Sequence, residues 1–128
     1  MLDLEIIKQQ VEKSYSKIRD HYSPDLEGWP EVDYSWPNVY ARHSGNPKME
    51  GEDPASAEFV RKDNMIYLYI DHLPDIEQLI RSLIHEYVHF LQSESWMKRY
   101  YKSGGYKYHN HPYEVKAKEE EENWGLFI

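Results

Sequence analysis

The chain has 128 residues, no cysteine and a formal net charge of −8. That length suits one domain, 1–128, with a single modest core. The missing thiols exclude disulfides and thiolate metal sites, and the acidic balance speaks against nucleic acid and anionic membrane surfaces as partners.

Hydrophobic residues at 40% and charged residues at 30% fit a folded globular chain rather than a disordered one. The start, "MLDLEIIKQQVEK", lacks the unbroken apolar stretch of a signal peptide, and no run approaches the length of a membrane span. A cytoplasmic protein is the expectation.

Leu4, Ile7, Val11, Tyr15, Ile18 and Tyr22 recur every three or four residues and predict an amphipathic helix over 3–20. Asp3 is its N-cap, and Ser23-Pro24 stops it. Residues 24–55 carry repeated proline and glycine and read mostly as loop, with a short strand at 39–42. Trp29 and Trp36 are expected to pin this loop to the core.

"AEFVRKDNMIYLYI" gives two extended runs around Asp63-Asn64, the pattern of a hairpin. Ile66, Leu68 and Ile70 would face one way, and Met65, Tyr67 and Tyr69 the other. Asp75 with Gln78 resembles a capping box that opens a helix from Ile76 to Ser93 or beyond. Gly104-Gly105 interrupts a tyrosine-rich stretch, and a last helix starts near Pro112 and runs into Glu119 to Glu122.

The helix after Asp75 carries His85-Glu86-Tyr87-Val88-His89. At about 100° per residue, Leu79, Ile80, Leu83, Tyr87, Phe90 and Leu91 gather on one side. His85 and His89 stack on the other, beside Gln78, Ser82 and Gln92, with Glu86 on the flank. Imidazoles four residues apart meet over one turn and can share a metal ion. A carboxylate next to them can take a proton from an activated water, which is the logic of HExxH. Chance placement in a chain of this composition gives roughly 0.04 matches to that pattern, so the motif needs supporting context. The plain alternative is two solvated histidines on an ordinary helix.

A catalytic zinc ion takes a third protein ligand. His109, His111 and Glu114 all follow at a workable distance. Pro112 suits the first helical position, which puts Glu114 in the first turn, and Ala117 would let that helix approach closely. An acidic first turn also stabilises a helix without metal. If Glu114 is the ligand, then His109, His111, Tyr106, Tyr108 or Tyr113 are candidates to contact substrate or a developing oxyanion. Glu119 to Glu122 read as a solvated face. The apolar ending, Asn123 to Ile128, would dock on the core, on a partner or over the cleft.

His85-Glu86-Tyr87-Val88-His89 followed by Pro112-Tyr113-Glu114-Val115-Lys116-Ala117 resembles the gluzincin zinc metallopeptidases, above all the small single-domain minigluzincin type. The resemblance covers 58–118. It implies an α+β zincin-like fold: a small sheet, an active-site helix carrying HExxH, and N- and C-terminal helices. It implies His85, His89 and Glu114 as zinc ligands, with Glu86 as general base. It also implies peptide-bond hydrolysis with the substrate extended along an edge strand, for which 65–70 is the candidate, and a terminus that blocks the cleft in a latent form.

One departure is Lys118, which stands where many larger gluzincins place an acidic partner for a zinc histidine. The expected function is therefore a Zn2+-dependent peptidase acting on a peptide or protein substrate. The alternative is a weak or inactive zinc-binding module that grips a peptide or protein partner.

Overall fold

The computed structural model describes residues 2–43, 55–92 and 112–128, with Tyr113 described by its backbone alone. Helix α1 is Leu4–Tyr22, and the Asp3 carboxylate caps it by accepting from the Ile6 N–H at 2.9 Å. Its stripe is the predicted one: Ile7, Val11, Tyr15 and Ile18 are buried, while Leu4 at the end stays exposed.

Strand β1 follows at Glu31–Trp36, inside the stretch read as loop. The strand expected at 39–42 is instead a single helical turn, α2, Val39–Arg42. Asn38 opens that turn by accepting from the Ala41 N–H at 2.8 Å, and a side-chain cap of this kind favours helix over strand. Trp29 and Trp36 are surface residues rather than core pins. The Trp29 ring lies 3.9 Å beneath the Arg19 guanidinium, a cation–π stack.

Strands β2 (Ala57–Val60) and β3 (Met65–Tyr69) form the predicted antiparallel hairpin, with Phe59 opposite Ile66. Four residues, 61–64, make the connection. Asn64 closes it at φ 49, a left-handed conformation that asparagine tolerates better than most residues. The strand order is β1-β3-β2, with β1 parallel to β3. So β3, the strand expected to hold substrate at a sheet edge, is paired on both sides. The edge of the hairpin is β2.

Ile66 and Leu68 face the helices with Ala57 and Phe59 beside them. Tyr67 and Tyr69 face the other way, where Arg42 covers Tyr67 and donates to the Tyr69 hydroxyl. A 3-10 turn, Ile70–His72, leads to α3, Ile76–Leu91. Helix α4 is Pro112–Glu120 and runs straight into a 3-10 segment, Glu121–Phe127. Helices α1 and α3 cover one face of the sheet, and the shared core adds Leu79, Ile80, Leu83, Ile84 and Tyr87 from α3, Ala117 from α4 and Phe127 from the tail.

The apolar ending docks on the core. Phe127 is 2% exposed and its ring packs edge-on against His21 of α1. The Ser14 hydroxyl donates to the Phe127 carbonyl. The tail is thus seated on α1, and the reading of it as a plug in the cleft is not what the contacts give. Among the described residues no helix is long and apolar enough to cross a membrane.

Candidate metal centre

Helix α3 is fixed at its start by Asp75, whose carboxylate accepts from the Gln78 N–H at 2.8 Å. Only that half of the capping box forms, because the Gln78 amide turns instead to the Ser56 and Ser82 hydroxyls. At its end, the Arg61 guanidinium donates to the carbonyls of His89 and Gln92 at 3.0 and 2.9 Å. A cation there satisfies orphan carbonyls and complements the helix dipole. The hairpin and the histidine helix are thereby locked in register.

The apolar phase of α3 falls as predicted, except that Leu91 is exposed. The histidine side does not face open solvent. His89 is 6% exposed and Glu86 8%. Helix α4 closes over that side, and Ala117, with no exposed surface, permits the close approach.

This approach brings Glu114 onto both imidazoles. Its Oε2 lies 2.9 Å from His85 Nε2 and its Oε1 lies 2.9 Å from His89 Nε2. The two Nε2 atoms are 3.1 Å apart. Three ligand atoms on a tetrahedral zinc ion stand about 3.3 Å apart when the bonds are about 2.0 Å. The triangle is therefore nearly the size the ion demands, and two imidazoles with a carboxylate match a catalytic donor set that leaves a fourth position open. Among the described residues this is the one such cluster.

The same geometry shapes the charges. Burial disfavours a charged His85, but the Glu114 and Glu121 carboxylates more than offset it and push its pKa up to about 10. Burial likewise opposes ionisation of Glu114, and the two histidines outweigh it, holding that carboxyl down at about 2. These shifts are two views of one ion pair. Glu86 behaves differently: burial raises its pKa, although His85 and His89 pull it down. Its Oε1 accepts from the Phe59 N–H at 2.9 Å, which ties it to the outer edge of β2.

His85, His89 and Glu114 thus converge as expected, with Glu86 adjacent. His109, His111, Tyr106 and Tyr108 lie outside the described residues, as does the side chain of Tyr113. Gln92 sits beside the histidines as the helix phase predicts, whereas Glu121 at the centre is not expected from the sequence. Glu121 Oε2 lies 2.8 Å from His85 Nδ1, and Gln92 Oε1 lies 2.8 Å from His89 Nδ1. The sequence places Glu121 in a run of glutamates with the pattern of a solvated face. The signal that would have found it is its spacing of seven from Glu114, two helical turns along the same side.

A pocket of about 210 Å³ opens beside the cluster, lined among others by Ala57, Ser82, His85, Glu86, Glu114 and Glu121. Larger hollows of about 470 and 660 Å³ flank β1, but their lining includes neither histidine of the cluster. Size therefore does not locate the chemistry here; the donor set does.

No protein-family model matches the chain, and no curated protein or solved structure matches it either. What stands is a small α+β protein with three residues able to hold a metal ion.

Proposed function

We propose that the protein is a zinc-dependent peptidase of the gluzincin-like kind. The observation that supports this most is the convergence of His85 Nε2, His89 Nε2 and Glu114 on one another, with every ligand atom of the set within 4.8 Å of the rest. In this reading those three residues hold the ion. Bound zinc would supply Lewis acidity, lowering the pKa of a water and polarising the scissile carbonyl.

Glu86 is the general base. It lines the same pocket as His85 and Glu114, and its burial raises its proton affinity above that of an ordinary carboxylate. One carboxylate oxygen is held by Phe59, so the other is the one to take the proton and later pass it to the leaving amine. The substrate backbone would run along β2 rather than β3, since β2 is the hairpin's outer strand and Ala57 lines the pocket. His109, His111 and Tyr113 are the candidates to contact the developing oxyanion.

The test is metal content together with Glu86→Gln. Protein purified without a histidine tag is expected to hold one zinc per chain. Glu86→Gln should keep that zinc while cleavage of a peptide library falls by about 10²–10⁴-fold. Equal turnover by the variant rejects the mechanism.

One observation favours a second reading, a zinc-bearing module that grips a peptide without cutting it. Glu86 is already engaged by the Phe59 N–H, which restrains a base that must reorient to work. Recovery of intact, bound peptide after long incubation with zinc-loaded protein would decide for that reading.

A further inference from the structure

We propose that Glu121 is the outer carboxylate that orients His85 for metal, and that the docking of the 3-10 segment on α1 holds Glu121 in place. The inference rests on the metal reading of the cluster and is independent of whether the protein cuts peptides.

An imidazole that ligates through Nε2 carries its remaining proton on Nδ1, and an acceptor for that N–H fixes the ring and strengthens it as a ligand. His89 meets a neutral acceptor, Gln92 Oε1. His85 meets a carboxylate, Glu121 Oε2 at 2.8 Å. The two rings are therefore supported unequally, and the charged support belongs to the ring that is further from full burial. Lys118, one turn after Glu114, also lines the pocket but carries only N–H donors and cannot accept from His85.

Glu121 is the first residue of the 3-10 segment, and contacts on both flanks tether it. On its N-terminal side the Glu120 carboxylate accepts from the Tyr22 hydroxyl at 2.9 Å and from the Asn123 amide at 3.0 Å. On its C-terminal side Arg81 donates to Glu122 at 3.3 Å. Further on, Phe127 fills its seat beside His21 and Tyr22, Ser14 donates to the Phe127 carbonyl, and Lys17 donates to the Ile128 carbonyl at 2.9 Å. The segment thus bridges α1 to the metal centre. On this proposal a change at Phe127 reaches His85 through the position of Glu121.

The experiment measures zinc affinity of the full chain by competition with a chromogenic chelator, and the visible spectrum of the cobalt-substituted protein. Glu121→Gln is expected to weaken zinc by about 10–100-fold and to shift the cobalt bands. Glu119→Gln, at an exposed glutamate of α4, should change neither. Phe127→Ala should weaken zinc in the wild-type background and add little to Glu121→Gln, the non-additivity of two residues acting through one contact.

Should Phe127→Ala fail to fold, Ser14→Ala loosens the same seat and carries the same expectation. Wild-type affinity and spectrum in Glu121→Gln would overturn the role of Glu121. Full additivity of the tail variants with Glu121→Gln would overturn the coupling. Absence of zinc uptake by the wild-type chain would instead remove the metal reading beneath both.

Discussion

The two sides of α3 are both buried, and for opposite physical reasons. On one side Leu79, Ile80, Leu83 and Tyr87 lose all solvent exposure against α1 and the sheet. That burial is driven by removal of apolar surface from water and tolerates many side chains of similar volume. On the other side His89, Glu86 and Glu114 are nearly as buried, although burying ionisable groups is costly. It is offset only because the partners are complete: among the described residues no buried side-chain nitrogen or oxygen lacks a hydrogen-bond partner. The apolar side therefore supplies stability, whereas the polar side supplies a geometry that a metal ion fits.

The sharpest way to break this comparison is His89→Ala. It should abolish stoichiometric zinc, measured by elemental analysis, while the circular dichroism of a folded α+β chain persists. Unchanged zinc content would mean the polar side is not a metal centre. Leu83→Ala probes the opposite side. A buried leucine truncated to alanine costs about 2–5 kcal/mol, read from denaturant unfolding, yet the zinc stoichiometry of the folded fraction should stay at one. Loss of zinc at full folding would show that the two sides do not act separately.

A pH series sharpens the contrast further. In the metal-free protein His85 is raised from 6.5 to about 10, so its contribution is complete below pH 6.5 and is lost as pH climbs towards 10. Glu114 is lowered from 4.5 to about 2, so its contribution is complete above pH 4.5 and is lost as pH falls towards 2. This ion pair should therefore favour the metal-free protein most between pH 4.5 and 6.5 and less on both sides, read from Tm, while Glu86, raised by burial, adds a loss of stability above pH 4.5. Zinc requires deprotonated imidazoles, so the stabilisation added by zinc should grow over the alkaline range where the metal-free protein weakens. Parallel pH profiles with and without zinc would contradict the shared use of these side chains.

The smallest expected effect is at the helix start, which serves both sides. Asp75→Ala removes the N-cap and should cost about 1 kcal/mol, with zinc affinity near wild type, because the histidines lie two turns or more away. A large drop in affinity would show that register, not only stability, depends on the cap.

Much of the site was legible because its signals are local. A stripe every three or four residues places α1, Asp75 starts α3, and the spacing of His85 and His89 puts two imidazoles on one turn whatever the rest of the chain does. Pro112 and Ala117 correctly marked a helix that brings Glu114 close. The strand at 39–42 failed because the local cap at Asn38 outweighs the β-branched Val39. In a run of four glutamates Glu121 stands out in sequence only by its phase with Glu114, and packing gives each a different partner: Glu120 meets Tyr22, Glu121 meets His85 and Glu122 meets Arg81.

The sequence by itself determined the phase of the helices, the hairpin and the stacking of His85 and His89 on one turn, since each depends on residues within a few positions of one another. Tertiary structure alone decided that β1 pairs with β3, that β2 is the outer strand of the hairpin, that Phe59 holds Glu86, and that Glu121 backs His85. Those outcomes join residues far apart in the chain, and pairings of that kind are set by which surfaces the core brings together rather than by any local preference.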